Sequence, residues 1–201
     1  MLVVVGGHTR NIGKTSVAAG LIAALSEYNW SAFKITQHGH HVCGGVAPCE
    51  CAQDMAGPYM IVEETGNNPA GDSSRFLAAG ARRAFWVRTA AGKLGHALPA
   101  LRRLFEESGN AICESNSLLR FIEPDLYIAV LDFGVEDFKT SARRALDRAD
   151  ALVVITRGLA APAWKGVAPR LWRDKLRFDV TPPCYVSPEL AEFVASHLMR
   201  C

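Results

Sequence analysis

The first residues with recognisable chemistry lie near the start of the chain, where Gly13, Lys14 and Thr15 follow one another. Backbone N–H groups at a glycine turn can converge on anionic oxygens, and the N-terminus of a following helix adds its dipole. The lysine supplies a mobile positive charge, and a hydroxyl directly after it can ligate Mg²⁺. This pattern predicts a phosphate-binding loop, or P-loop, between a strand and a helix.

The loop departs from the usual spacing Gly-x-x-x-x-Gly-Lys-Ser/Thr. His8 stands where the first glycine is usual, and Gly7 and Gly6 come one and two residues earlier. An apolar strand before the loop and an apolar helix after it still favour a phosphate loop over a chance Gly-Lys-Thr. We expect the residues that hold the nucleotide phosphates to be Thr9, Arg10, Asn11, Ile12, Gly13, Lys14, Thr15 and Ser16.

Strands alternate with helices along the chain, which predicts parallel strand–helix–strand crossovers. The expected strands are Leu2–Val5, Ser31–Thr36, Arg83–Val87, Ala111–Glu114, Leu126–Leu131 and Ala151–Ile155. The expected helices are Lys14–Tyr28, Asp72–Gly80, Lys93–Ser108, Glu136–Ala149 and Pro188–Met199, and residues 37–70 are expected to be irregular. The fold class is therefore α/β, a three-layer sandwich with helices on both faces of a mostly parallel sheet. We expect residues 1–201 to form a single P-loop nucleotide-binding domain.

Three polar residues are expected at the ends of strands. Glu114 follows an apolar run, and a carboxylate beside the phosphate loop is suited to hold Mg²⁺ directly or through water; the alternative is an exposed residue at a strand end. Lys34 ends the second strand, where it would approach an anionic substrate. Asp132 fits a ligand and a turn residue equally well.

Residues 38–51 contain three histidines and three cysteines within fourteen residues, in an insert at 38–56. Imidazole and thiolate ligands at this density suit Zn²⁺, or Ni²⁺ in a metallochaperone. The expected ligands of this site are Cys43, Cys49, Cys51 and His41. The alternative is a loop near the nucleotide in which the cysteines have no special role. The three other cysteines are expected to pack or to stay free: Cys113, Cys184 and Cys201.

Overall charge and hydropathy exclude several classes of protein. The net charge is only +2, so global charge does not indicate nucleic-acid binding. Residues 139–177 carry ten Lys/Arg against three Asp/Glu, which fits solvated helix faces or a surface that meets an anionic ligand. No apolar run reaches the roughly 18 residues of a membrane span. No targeting segment is visible, which indicates a cytoplasmic protein whose cysteines are thiols or metal ligands.

The loop Gly6–Thr15 resembles that of dethiobiotin synthetase and that of the B protein of molybdopterin-guanine dinucleotide biosynthesis, a small GTP-binding P-loop NTPase. Three further stretches resemble the second family in the family's order. They are a strand followed by histidines (33–41), a helix with Asp-Ser and Ala-Gly-Ala (71–81), and an apolar strand that ends in glutamate (111–114). The nickel-delivery GTPases are a more distant resemblance.

The resemblance to the B-protein family implies GTP binding with Mg²⁺, slow hydrolysis and a homodimer. It implies an accessory role beside a nucleotidyltransferase that attaches a nucleotide to molybdopterin, with Lys14 and Glu114 as the catalytic pair and Asp72 as a further Mg²⁺ ligand. A helix N-cap is the alternative for Asp72. Ser115–Ser117 replace the family's Gly-Phe-Lys, and Thr156–Gly158 stand where a guanine-specific Asn-Lys-x-Asp is expected, so ATP remains open. The other functions that fit are a nucleotide-dependent Zn or Ni chaperone, an ATP-dependent ligase and a binding module without hydrolysis.

Overall fold

The computed structural model describes residues 1–39, 55–66 and 73–199, and these contain one eight-stranded sheet. The strands are β1 (Leu2–Gly7), β2 (Ser31–His38), β3 (Tyr59–Glu63), β4 (Arg83–Ala90), β5 (Ala111–Glu114), β6 (Leu126–Asp132), β7 (Ala151–Ile155) and β8 (Leu176–Asp179). Their order across the sheet is β3-β4-β2-β5-β1-β6-β7-β8. Only the β3–β4 pair is antiparallel among these strands.

Helices cover both faces of this sheet. They are α1 (Lys14–Ala24), α2 (Ser74–Ala78), α3 (Leu98–Ser108), α4 (Thr140–Ala145) and α5 (Pro188–Leu198). Buried residues of α1, α2 and α5 belong to the hydrophobic core on one face, whereas α3 and α4 contribute to the core on the other. The predicted fold class, a three-layer α/β sandwich with a mostly parallel sheet, is confirmed.

β1 lies between β5 and β6, and all six of its residues are buried. Val5 pairs with Glu114 in β5, and Gly7 pairs with Val130 in β6, both in parallel register. Because the carboxyl ends of parallel strands meet at one edge of the sheet, the loop after β1 lies beside the last residues of its two neighbours. This arrangement brings Glu114 and Asp132 to either side of the phosphate loop.

Two edge strands were not predicted. β3 lies inside the stretch expected to be irregular, and β8 has four mostly exposed residues. Both strands have only one neighbour in the sheet, so neither needs the continuous apolar run that marks a buried parallel strand. Sequence periodicity therefore misses them.

The helix expected at Glu136–Ala149 is also shorter than predicted, since α4 covers only Thr140–Ala145. The backbone N–H of Lys139 donates to the carbonyl oxygen of His8, 2.9 Å away, so the segment just before α4 is bonded to the start of the phosphate loop. Likewise, α1 ends at Ala24, before a separate 3₁₀ turn at Ser26–Tyr28. No helix among the described residues is long and apolar enough to cross a membrane.

Candidate functional site

The loop between β1 and α1 has the backbone that phosphate binding requires. Asn11 and Gly13 have φ angles of 56° and 89°, in the left-handed region. A Cβ atom at Gly13 would overlap the ring of Tyr185, so this turn accepts only glycine without rearrangement. No side chain caps the start of α1 and its first turn contains no acidic residue, which leaves its amide groups able to bind an anion.

Lys14 is the first residue of α1, and its ammonium returns over the loop to donate to the carbonyl oxygen of Thr9 at 2.5 Å. Its pKa is lowered to about 8, mainly because burial disfavours the charged form. Nearby cations lower the pKa further, against an opposing effect of Glu114. These cations are Lys34, Lys139 and Arg10. The site thus concentrates positive charge that an anionic ligand would stabilise.

Thr15, the residue after Lys14 in α1, contacts Glu114 at the end of β5. The Thr15 hydroxyl donates to Glu114 Oε2 at 2.6 Å, and the ammonium of Lys34 lies 2.6 Å from the same carboxylate oxygen and 3.0 Å from Thr15 Oγ1. All three side chains are largely shielded from solvent. A hydroxyl and a carboxylate are hard oxygen donors of the kind that Mg²⁺ prefers, so the residues fit this ion.

The remaining residues of the predicted loop have different environments. Arg10 and Asn11 are exposed, whereas Ile12 is buried in the core below α1. The Ser16 hydroxyl accepts a hydrogen bond of 3.1 Å from Arg75 in α2, which ties the start of α1 to that helix.

His8, the residue that replaces the usual first glycine, is fully buried. Its Nδ1 donates to the carbonyl oxygen of Asp137 at 2.7 Å, and its Nε2 accepts from the backbone N–H of Asp132 at 3.0 Å. The ring also contacts Phe138 and Trp164, each with a centroid 5.0 Å away. Burial is the main cause that lowers the pKa of His8, in agreement with a neutral ring that donates through one nitrogen and accepts through the other.

Asn116 holds the end of β1 through two hydrogen bonds to the backbone of Gly7. Its amide nitrogen donates to the Gly7 carbonyl oxygen at 2.6 Å, and its Oδ1 accepts from the Gly7 N–H at 2.8 Å. A Cβ atom at Gly6 would overlap that oxygen, which explains why a glycine precedes the loop there. Asn116 was not predicted to be functional, although its place two residues after Glu114 was a usable signal.

Asp132 belongs to an internal ion pair. Its carboxylate accepts from Arg157 Nη2 at 2.7 Å and from the Gly134 N–H at 2.9 Å, and it is fully buried. Burial acts to raise the pKa of Asp132, but the bonds from Arg157 and Gly134 outweigh it and lower the pKa overall. The structure thus places Asp132 as a turn residue that anchors the segment after β7.

Five predicted metal ligands lie outside the described residues: His41, Cys43, Cys49, Cys51 and Asp72. The part of the chain that the structure describes contains no group of three or more His, Cys, Asp or Glu residues able to hold a metal ion. Cys113 is buried in β5 with its pKa raised by burial, and Cys184 is exposed; both are free thiols.

Comparisons with known proteins support the fold. A scan against protein-family models gave no match, and a search of curated proteins gave none. Among solved structures, HypB from Helicobacter pylori in complex with nickel is 13% identical with a TM-score of 0.50, over 98% of this chain and 85% of HypB. LpxK from Aquifex aeolicus in complex with ATP is 16% identical with a TM-score of 0.48, over 89% of this chain and 53% of LpxK. The chain has an α/β P-loop NTPase fold.

Proposed function

We propose that the chain binds a nucleoside triphosphate with Mg²⁺ at the loop between β1 and α1. One observation carries this proposal: partly buried Lys14, with its pKa lowered to about 8, lies among other cations beside an uncapped helix N-terminus. Placing a partly buried ammonium among other cations is costly unless an anion neutralises them, and a triphosphate would do so.

Each group of the site has a distinct task in this proposal. The loop amides from Thr9 to Thr15 hold the β-phosphate, and Lys14 bridges β- and γ-phosphate oxygens. Thr15 and Glu114, whose oxygens lie 2.6 Å apart, hold Mg²⁺, which would offset charge on the phosphates. Glu114 already contacts a hydroxyl and an ammonium, which supports a metal-side role over that of a general base.

The biological role that we propose is the one implied by the sequence resemblance. The protein would act in the cytoplasm as a homodimeric, slowly hydrolysing GTP-binding accessory protein of molybdenum cofactor biosynthesis, beside a nucleotidyltransferase that uses molybdopterin. Three features in chain order support it: the loop, the strand that carries Lys34 and the strand that ends in Glu114. The guanine preference rests on that resemblance alone.

The test is equilibrium binding of fluorescent GTP and ATP analogues with excess Mg²⁺ and with EDTA. Binding that weakens at least about tenfold in EDTA would support the metal–nucleotide site. The Glu114→Gln variant should lose most of this Mg²⁺ dependence, whereas Glu123→Gln, an exposed carboxylate elsewhere, should retain it. Absence of binding for both nucleotides would overturn the proposal, and tighter binding of ATP than of GTP would overturn the guanine preference.

A nucleotide-dependent zinc or nickel chaperone is the second candidate function. The density of histidine and cysteine in residues 38–51 favours it, and HypB in complex with nickel has a related fold. Metal content should be measured by mass spectrometry on protein purified without chelator, for the wild type and for a Cys43/Cys49/Cys51→Ser variant. About one metal ion per chain that disappears in the variant would support this function, and metal-free wild-type protein would exclude it.

A further inference from the structure

Lys34 occupies an unusual place in this site. Its register partner in β5 is Glu114, so the two side chains leave neighbouring strands at the same level and on the same face of the sheet. The Lys34 ammonium contacts both proposed Mg²⁺ ligands, at 2.6 Å from Glu114 Oε2 and 3.0 Å from Thr15 Oγ1. A positive charge of the protein thus lies against the oxygens that would coordinate the metal.

The ammonium and a divalent ion cannot hold these contacts together. Mg²⁺ binds oxygen at about 2.0–2.1 Å, whereas the Thr15 hydroxyl now donates its proton to Glu114 and accepts a hydrogen bond from Lys34 with one of its two lone pairs. An ammonium and a divalent ion on the same two oxygens would lie about 4 Å apart and would repel each other strongly in this largely buried site. Metal binding at Thr15 and Glu114 therefore requires Lys34 to give up this position.

Charge balance indicates when that exchange is favourable. Among the charged groups that the structure describes around Lys14, the cations Lys34, Lys139 and Arg10 outnumber the carboxylate of Glu114, so a free divalent ion adds positive charge to a positive site. A complex of Mg²⁺ with a nucleoside triphosphate is anionic and brings oxygens for the displaced cation. The same surroundings that oppose free Mg²⁺ therefore favour the metal–nucleotide complex.

We propose that Lys34 is a tethered cation that keeps the Thr15–Glu114 site closed to free divalent ions and releases it to the metal–nucleotide complex. This role rests on the proposed function, because it assumes that Thr15 and Glu114 are the metal ligands. Lys34 acts as a positioning residue, which makes the metal site conditional on the nucleotide.

The test is Mn²⁺ binding followed by electron paramagnetic resonance, with and without GTP. Without nucleotide, Lys34→Met should bind Mn²⁺ at least about tenfold more tightly than the wild type, because the competing ammonium is gone. Lys34→Arg, which keeps the charge, should bind Mn²⁺ as weakly as the wild type. Adding GTP should narrow the difference between Lys34→Met and the wild type.

Two further variants make the result decisive. Glu114→Gln in the Lys34→Met background should abolish the gained Mn²⁺ binding, which would locate the new site at Glu114. Lys34→Gln, which keeps hydrogen-bonding capacity, replaces Lys34→Met if circular dichroism shows that variant unfolded. Equal Mn²⁺ binding by the wild type and both neutral variants would overturn the role of Lys34, as would a gain that survives Glu114→Gln. The nucleotide-free measurement decides this role even if GTP binding, and with it the proposed function, fails.

Discussion

The phosphate loop begins at a histidine whose two ring nitrogens are both bonded within the protein, and it ends in a cluster of cations. At the first end, His8 is held by backbone groups of Asp137 and Asp132 and by two aromatic rings. At the second end, Lys14 and Lys34 make contacts that a bound nucleotide would replace. One half of the loop therefore stabilises the fold, whereas a bound nucleotide would stabilise the other half.

The largest expected effect is on the folded state, at the first end of the loop. His8→Ala should lower the free energy of unfolding by about 3 kcal/mol, because it removes a buried ring and leaves two backbone groups without their partners. Urea denaturation without nucleotide measures this change. His96→Ala, at an exposed histidine, is the control and should cost less than about 0.5 kcal/mol. If the two variants lowered the free energy of unfolding equally, a structural role for His8 would be contradicted.

The second effect is on binding, at the other end of the loop. Lys14→Met should weaken GTP binding by about 100-fold or more, which corresponds to about 2.7 kcal/mol. Its free energy of unfolding should stay within about 0.5 kcal/mol of the wild type or rise, because the variant removes a partly buried charge from among other cations. Fluorescence titration and urea denaturation report the two quantities, with exposed Lys93→Met as the control. A clear loss of stability with intact GTP binding would show that Lys14 stabilises the fold and does not hold the nucleotide.

The third effect concerns the ion pair behind the histidine. Arg157→Gln should lower the free energy of unfolding by about 1 kcal/mol, because buried Asp132 keeps the Gly134 N–H but loses its cation. The expected effect is small because the Arg157 side chain is 54% exposed and its charge is screened by solvent.

The control for this pair is Arg177→Gln, since Arg177 pairs with the more exposed Asp179 and should cost less. The folded state lowers the pKa of Asp132, so the pair contributes stability above the unfolded pKa and loses it as pH falls through the folded pKa. The cost of Arg157→Gln should therefore shrink in acid. A cost that stays constant down to the lowest pH at which the protein remains folded would contradict this pairing.

The smallest expected effect is the pH dependence due to His8 itself. The folded state lowers its pKa, so protons bind the unfolded chain preferentially as pH falls below the ordinary histidine value near 6.5. The stability advantage of the wild type over non-titrating His8→Asn should thus be full at pH 7.5 and smaller at pH 5. Thermal unfolding at both pH values tests it, and carboxylate effects largely cancel in the difference. A difference that does not change with pH would contradict a neutral buried ring.

The sequence predicted the elements that are buried on both sides. β1, β5, β6 and β7 are continuous apolar runs, and the Gly-Lys-Thr turn marks the start of α1. Edge strands β3 and β8 were not predicted because they are short and partly polar, and each pairs with a neighbouring strand on one side only. The helix expected from Glu136 begins only at Thr140. Phe138, which precedes it, packs against His8, and no local sequence pattern encodes that contact.

The residues of the candidate site divide in the same way, into those that a local sequence pattern identifies and those that depend on contacts distant in sequence. Lys14, Thr15 and Glu114 were identifiable because motif and strand position are local properties. Asn116 and the true role of His8 were not, since both depend on contacts across more than a hundred residues of sequence. In the same way, Asp132 could be assigned to a turn only once its partner Arg157, at the end of another strand, was known.

The central place of β1 has a consequence for how the protein is made. β1 pairs with strands that come more than a hundred residues later in the chain, at Ala111 and Leu126, and His8 also contacts Trp164. Contacts this distant in sequence are slow to form, and the apolar segment stays exposed until its partners are synthesised. The phosphate loop is therefore translated well before the strands that complete it. A nucleotide that binds the loop would stabilise only the state in which these strands have paired. A higher nucleotide concentration would therefore shift newly made protein toward the native state without acting on nascent chains that still lack the partner strands.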